Sequence, residues 1–353
     1  MKTAIVILNY NGERHLKTFL PSVIEHCPPD ARVYLADNAS TDGSVAFAEK
    51  AYPDLDLIKL TENHGFAGGY NEALKQVGAE YFALVNSDLE VTEGWLKPLT
   101  DVLDNDKSVA SVQPKIRSHR ERGYFEYAGA SGGFIDTHGY AFCRGRIFGH
   151  CERDIGQHDD PREVFWTTGA CMVIRASAFR EAEGFDADLF AHMEEIDLCW
   201  RLKNTGHRMY CQPASTVYHL GGGTLSAHSP HKTFLNYRNN LIVLIKNDYR
   251  KKFARKFFQR LILDGASALQ LLFTKGPSHF TAVLRAHFYI YLNFKSLKAK
   301  RKKWKGRADN INNTGFYRNN VVFDFFLREK RVFGALRSID FVRQNRKVPS
   351  EQP

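Results

Sequence analysis

Several carboxylates and one histidine are spaced along the first two thirds of this 353-residue chain in ways that suit nucleotide, metal or proton-transfer chemistry. Asp37 closes ARVYLAD (31–37) and opens the small-residue run Asn38-Ala39-Ser40. A carboxylate at a strand end can accept hydrogen bonds from a base or ribose, although an Asp there also simply forms the turn. NSDLE (86–90) follows the apolar run FALV, and its oxygen side chains suit a hard divalent cation that keeps positions open for phosphates. The competing reading is a helix-entry loop whose acids complement the helix dipole. HMEEIDLCWRL (192–202) puts Glu194, Glu195 and Asp197 in the first turn of a helix. One of them can serve as general base toward a hydroxyl, or all can merely favour the helix N-terminus. His219 comes near the end of STVYHL (215–220), just before three glycines. It can complete a metal shell or remain a satisfied structural histidine.

Other features discriminate less. Gly65, Gly68 and Gly69 in NHGFAGGYN resemble a phosphate-cradling turn but match neither the dinucleotide fingerprint nor the P-loop. Tyr10, Trp95 and Trp166 offer stacking faces, though core packing is the commoner fate of an aromatic. No Ser-His-Asp order or nucleophile elbow is present.

The elements that must position these residues follow from periodicity. Strands are expected at 3–8, 31–37, 55–60, 81–86 and 108–112, with helices at 13–26, 43–51, near 69–78 and at 93–104. Such alternation implies a mostly parallel sheet covered by helices, with ligands at the carboxyl ends of the strands. Asn9-Tyr10-Asn11, Asp37-Asn38, Asn63 and Asn86-Ser87-Asp88 all fall there. Residues 115–165 read as hairpins and a long loop, 170–175 as a strand, 194–205 as a helix, and 209–211 and 215–220 as two short strands. Beyond residue 232 the chain turns to helices rich in aromatics and cations, so a boundary is placed near 230.

Composition bounds the class. With 43% hydrophobic and 25% charged residues the chain is neither disordered nor fibrous. No apolar run approaches the roughly 18 residues needed to span a bilayer, and the N-terminus lacks the pattern of a secretion signal. Six cysteines without a C-x-x-C pair read as reduced cytoplasmic thiols. The net charge of +10 conceals a division, −10 over residues 1–230 and +20 over 231–353. The basic part is expected to meet something anionic. RKKFARKFFQR (250–260) and KAKRKKWKGR (298–307) interleave cations with aromatics, which suits an anionic membrane interface, while packing on the core and nucleic-acid binding are the competing readings. No nucleic-acid module accompanies them, so no nucleic-acid partner is expected.

The order of motifs carries more than any one of them. NYNG (9–12), DNASTDGS (37–44), ENHGFAGGYN (62–71), LVNSDLEV (84–91), TTGACMVIR (167–175), GFDADLFAHMEEIDLCWRLKNTGH (184–207) and VYHLGGGT (217–224) succeed one another. This set resembles the family 2 inverting glycosyltransferases, especially their rhamnosyltransferase-like branch, over residues 1–245. The resemblance implies a GT-A fold, α/β with a mostly parallel central sheet, in residues 1–230. A nucleotide-sugar half (1–114) and an acceptor half (115–230) would be followed by a basic, mainly helical region, 231–353. It implies a dTDP- or UDP-linked sugar donor held by Asn9, Tyr10, Asn11, Asp37, Asn63, Gly68, Asn71 and Asn86. It further implies Mg²⁺ or Mn²⁺ on Asp88 and His219, with Asn86 where the family has the first Asp of its D-x-D motif. Glu195 falls at the catalytic-base position, with Glu194 and Asp197 as alternatives. The implied acceptor is a glycan or lipid-linked oligosaccharide at the inner face of the cytoplasmic membrane, reached through residues 250–307. A sugar nucleotidyltransferase would show a G-x-G-x-R signature that NYNGERH lacks. A non-catalytic membrane-docking or glycan-binding protein on the same scaffold is the alternative. Asp37, Asp88, Glu195 and His219 standing together argue against it.

Overall fold

The computed structural model describes residues 1–221 and 229–343. Four aliphatic runs form β1 (Thr3–Asn9), β2 (Ala31–Asp37), β3 (Asp56–Lys59) and β4 (Tyr81–Asn86), joined through helices α1 (Glu13–Glu25), α2 (Ser44–Ala51) and α3 (Gly65–Lys75). The strands pair in parallel in the order β3-β2-β1-β4. Alternation along β1 sends Ala4 and Val6 to one face and Ile5 and Ile7 to the other, and a separate core grows on each side. Helix α1 buries the expected stripe Leu16, Phe19, Leu20 and Val23.

The chain continues through β5 (Leu89–Val91), α4 (Lys97–Asn105) and β6 (Val109–Ser118). A separate four-stranded sheet follows, made of β7 (Gly133–Ile135), β8 (Ala141–Cys143), β9 (Arg146–Ile147) and β10 (His150–Cys151). Then come β11 (Arg162–Val164), β12 (Cys171–Arg175), α5 (Ala176–Glu181), α6 (Glu194–Asn204) and β13 (Arg208–His219). These strands extend the main sheet as β4-β12-β6-β13-β11, with β12 antiparallel to both neighbours and β5 on β13.

Several expected boundaries move: the strand expected at 108–112 runs on to Ser118. The helix expected near 69 starts at Gly65, and the one expected at 93 starts at Lys97, after a turn in which Gly94 takes φ +68°. The two short strands at 209–211 and 215–220 are one strand, β13, with a register shift between Gln212 and Thr216. Pro213 sits in that irregularity, where a missing N–H costs no ladder bond. Trp95 and Trp166 are core residues, 1% and 3% exposed, and offer no stacking face.

The chain that follows the boundary expected near 230 packs against the body. Helix α7 (Pro230–Asn247) buries Leu241 to Ile245 in the same core as Val6, Tyr70 and Phe82. After α8 (Phe253–Lys275), α9 (Pro277–Leu292), α10 (Phe294–Lys305) and α11 (Val321–Phe326), Phe333 and Leu336 return to that core as well, as do Phe316 and Tyr317 ahead of α11. The charge division is partly spent internally. Lys246 pairs with Asp186 and Asp197, Lys300 with Asp186 and Asp188, and Lys303 and Arg307 with Glu183. Three cations of the 298–307 run are therefore committed to the body. The three-glycine break after Leu220 extends into residues outside those described.

Candidate active site

Strand register lines up the carboxyl-end residues. Asn9 stands opposite Asp37, and Leu8, one position earlier, opposite Asn86. Asn9 Nδ2 donates to Asp37 Oδ1 (3.1 Å) and to Ser40 Oγ (3.1 Å), while Ser40 N–H donates to Asp37 Oδ2 (2.9 Å). Asn11, at φ +51°, accepts the Thr41 N–H on Oδ1 (2.7 Å), so the loops after β1 and β2 are stitched together. Tyr10 projects beside them, 43% exposed, as the aromatic face available at this rim. Asn63 Oδ1 accepts from Asn38 Nδ2 (3.0 Å) and from Gly65 N–H (2.9 Å), which ties the start of α3 to the same rim.

Of the expected donor-binding residues, Asn71 points elsewhere and Gly68 is packed closely. Asn71 uses both ends of its amide on the Phe185 backbone, donating to the carbonyl (2.9 Å) and accepting from the N–H (2.9 Å). Gly68 has its bare Cα against His64, where an added Cβ would lie 2.9 Å from the His64 Cβ. Nor do the glycines cradle a phosphate. The first N–H groups of α3, on Phe66 and Ala67, already donate to the Phe190 carbonyl (2.8 and 3.1 Å).

Asp88 and His219 meet. His219 Nε2 lies 3.0 Å from Asp88 Oδ1, and its Nδ1 lies 3.0 Å from Glu126 Oε2. Asn86 Nδ2 is 3.3 Å from His219 Nε2. Burial alone would lower the imidazole pKa, but the two flanking carboxylates outweigh it and raise it to about 10. Burial likewise works against ionised Asp88, yet His219 holds its carboxyl below the ordinary value. This donor set fits a divalent cation. If Nε2 gives up its proton, its lone pair lies 3.0 Å from a carboxylate oxygen. Adjacent ligands of an octahedral ion at about 2.1 Å are separated by about the same distance. Nδ1–H would stay on Glu126, the carboxylate–histidine pairing that fixes a ligand's tautomer. Among the described residues no group of three or more His, Cys, Asp or Glu forms a metal cage. Mg²⁺ and Mn²⁺ at phosphate sites do not need one, because water and substrate oxygens complete the shell. Glu126 lies in an irregular loop after β6 with no periodicity or motif to reveal it.

Glu194 and Glu195 open α6, and the backbone leading to them is strained. Phe190, His192 and Met193 adopt φ of 62°, 71° and 74°. Non-glycine residues pay for such angles only when their surroundings over-determine them. Here the Phe190 carbonyl is held by α3, and Asn239 Nδ2 donates to the carbonyls of Leu189 (2.9 Å), Ala191 (2.8 Å) and His192 (2.8 Å). The Arg238 guanidinium adds bonds to the Asp188 and Leu189 carbonyls. Helix α7 thus clamps the loop that delivers the two glutamates. Asn239 was findable in principle. A doubled Asn directly before the aliphatic run LIVLI is a poor helix former and asks for a partner.

Asn86 N–H donates to the Ala170 carbonyl (3.0 Å), and an added Cβ on the adjacent Gly169 would come 3.7 Å from Glu195 Cβ. The β4 end and the start of α6 therefore border one another. Neither Glu194 Oε2 nor Glu195 Oε2 has a hydrogen-bond partner among the described residues. Burial pushes the Glu195 carboxyl up to about 7, and burial together with Glu195 raises Glu194 well above the ordinary glutamate value. Arg146, buried and without a carboxylate partner among the described residues, draws Glu195 back down. Asp197 differs. It is fully buried, accepting from Arg201 Nε (2.8 Å), Lys246 Nζ (2.8 Å) and Asn247 Nδ2 (2.7 Å). With its oxygens occupied in this cluster it cannot take a proton from a substrate, so the expectation that it might act as base is corrected.

The family model for glycosyl transferase family 2 matches residues 4–182. Over 260 residues the sequence is 26% identical to the N-acetylglucosaminyl-diphospho-decaprenol L-rhamnosyltransferase of Mycobacterium tuberculosis, covering 69% of this chain and 82% of that protein. Among solved structures, S. aureus TarS 1–349 in complex with UDP-GlcNAc superposes with a TM-score of 0.53 at 17% identity, covering 86% of this chain and 89% of that one. GalNAc-T7 with UDP, GalNAc and Mn²⁺ superposes with a TM-score of 0.56 at 15% identity, covering 84% and 57%. At such identities the two structures speak for the fold alone, and that fold is GT-A.

Proposed function

The chain belongs to glycosyl transferase family 2, on its rhamnosyltransferase-like side, and from that premise we propose an inverting transfer of a sugar from a nucleoside diphosphate to an acceptor hydroxyl in cell-envelope glycan synthesis. The observation that carries the reading is Glu195, a carboxylate with an unpartnered oxygen and a pKa near neutrality, bordering the end of β4. A general base works best with its pKa close to the working pH.

In this reading Asn9, Tyr10, Asn11, Asp37 and Asn63 receive the nucleoside, and Asn86 lies between them and the diphosphate. Asp88 and His219 would hold Mg²⁺ or Mn²⁺, with Glu126 fixing the imidazole. A bound divalent cation supplies charge neutralisation for the departing diphosphate. Glu195 takes the proton of the acceptor hydroxyl as its oxygen bonds to the anomeric carbon. The bond from that carbon to the diphosphate oxygen breaks and its electron pair leaves with the nucleotide. One displacement inverts the configuration, and no enzyme nucleophile is used. Burial and the neighbouring Glu195 both disfavour a charge on Glu194.

The Mycobacterium relative is named for a lipid-diphosphate acceptor, and a similar lipid-linked acceptor here puts the reaction at the cytoplasmic face of a membrane. We divide the labour between a donor half over 1–114 and an acceptor half over 115–230, with α7 as part of the second. The test is a panel of dTDP- and UDP-sugars incubated with Mn²⁺ and a polyprenyl-diphosphate glycan. A new glycoside with inverted anomeric configuration by NMR is expected. Retained configuration, or no turnover with any donor, overturns the proposal.

A further inference from the structure

Helix α8 buries only Arg260, Asp264 and Ala268. On its other side Phe258, Ile262, Leu269 and Phe273 are 53–85% exposed. Steps of four, seven and four residues keep them on one stripe, about 22 Å long at about 1.5 Å per residue. The neighbouring α9 repeats the arrangement. Ala282, Val283, Ala286 and Ile290 face inward, while Leu284, Phe288, Tyr291 and Leu292 are 51–69% exposed. A monomer seldom leaves this much contiguous apolar surface in water without a use for it.

Its surroundings are cationic. Residues 249–308 contain sixteen Lys and Arg and a single acid, Asp264. That acid is buried against Arg260 (2.8 Å) and His287 (3.3 Å) and shows no charge to the outside. Lys251, Lys252 and Arg255 lead into α8, Lys275 ends it, and Lys295 and Lys298 follow on α10. All six are exposed, and none makes an ion pair among the described residues. A second copy of the chain would set like charges against one another.

We propose that the α8–α9 face docks onto the surface of an anionic lipid bilayer, both helices lying in the plane with their stripes at the headgroup boundary and the lysines over lipid phosphates. No helix among the described residues is long and apolar enough to cross a membrane, which leaves lying on the surface as the way α8 and α9 meet lipid. The biological setting rests on the lipid-linked acceptor read above, but vesicle binding tests the surface without any sugar transfer.

The full chain is sedimented with vesicles of phosphatidylcholine alone and of phosphatidylcholine mixed with phosphatidylglycerol. Pelleting with the mixed vesicles, weakening as salt rises, is expected. Leu269→Ser with Phe273→Ser, and separately Phe288→Ser with Leu292→Ser, should each lower the partition coefficient at least about tenfold. Lys251→Glu with Lys252→Glu should remove the preference for anionic lipid. All these side chains are exposed, so melting temperature and hydrolysis of the donor by water stay at wild-type values, separating loss of docking from loss of transfer chemistry. Three results overturn the proposal: no pelleting of the wild type with anionic vesicles, serine variants that bind as well as wild type, or a dimer in light scattering that Leu269→Ser with Phe273→Ser dissociates while vesicles bind neither form.

Discussion

Replacing Glu195 with Gln removes the ionisable group and little else, which makes it the sharpest probe of the site. The wild-type carboxyl titrates near 7, against an ordinary glutamate value of 4.5. At about 1.4 kcal/mol per pH unit between those values, ionising it costs the fold about 3 kcal/mol. The sign follows from which state holds the proton. Below pH 4.5 folded and unfolded chains are both protonated here and the effect vanishes. From 4.5 to 7 the folded chain binds the proton more tightly, so stability falls as pH rises, and above 7 the whole cost is present. Gln cannot ionise, so Glu195→Gln should melt higher than wild type at about pH 8, by about 4 °C for a chain of this length. The two should coincide near pH 4. Sugar transfer should fall by about 10²–10⁴-fold, and the acid limb of the kcat/KM profile, with its midpoint near 7, should disappear. Scanning calorimetry and a radiolabelled-donor assay on the same preparations measure both. A variant that transfers sugar at nearly the wild-type rate, or melts below wild type at alkaline pH, refutes the reasoning.

Other residues yield separable outcomes. Asp88→Ala should abolish Mn²⁺ binding in an electron paramagnetic resonance titration, and Glu126→Gln should weaken it by about 10–100-fold through loss of the imidazole's orienting partner. Asn239→Ala leaves the Ala191 and His192 carbonyls without a donor, each costing about 1–3 kcal/mol if buried, while Leu189 keeps Arg238. Faster amide exchange over 189–195 and a lower kcat with unchanged donor KM are expected. Asp197→Asn strips charge from a buried cluster with Lys246 and Arg201 and should cost about 3–5 kcal/mol in denaturant unfolding. Below its melting range the folded variant should still turn over, which a catalytic base would not allow.

Much of the scaffold was legible because its signals are local. Apolar runs such as YFALVN announce a strand buried on both faces, and Asn9, Asp37 and Asn86 needed only those strand ends to be placed together. Asp88 and His219, far apart in the chain, meet because β13 pairs with β5 one turn beyond β4, a long-range register that composition does not carry. Asn71 and Asp197 looked equivalent to their neighbours in sequence. Only the partners brought in by the 184–186 turn and by α7 turn them into structural groups. Residues 231–353 stand out in the sequence as a separate basic region because the charge changes sign near 230. What the charge count does not carry is that Lys246, Lys300, Lys303 and Arg307 of that region pair with acids of the body.

That pairing bears on how variants of this enzyme can be built. Exchanging the helices after residue 230 for those of a relative would bring foreign side chains to Asp186, Asp197 and the carbonyls of Leu189, Ala191 and His192. Such a chimera would inherit Glu194 and Glu195 without the brace that holds the loop before them. Donor or acceptor preference is better altered by changing side chains around the end of β4 than by exchanging the helices after residue 230.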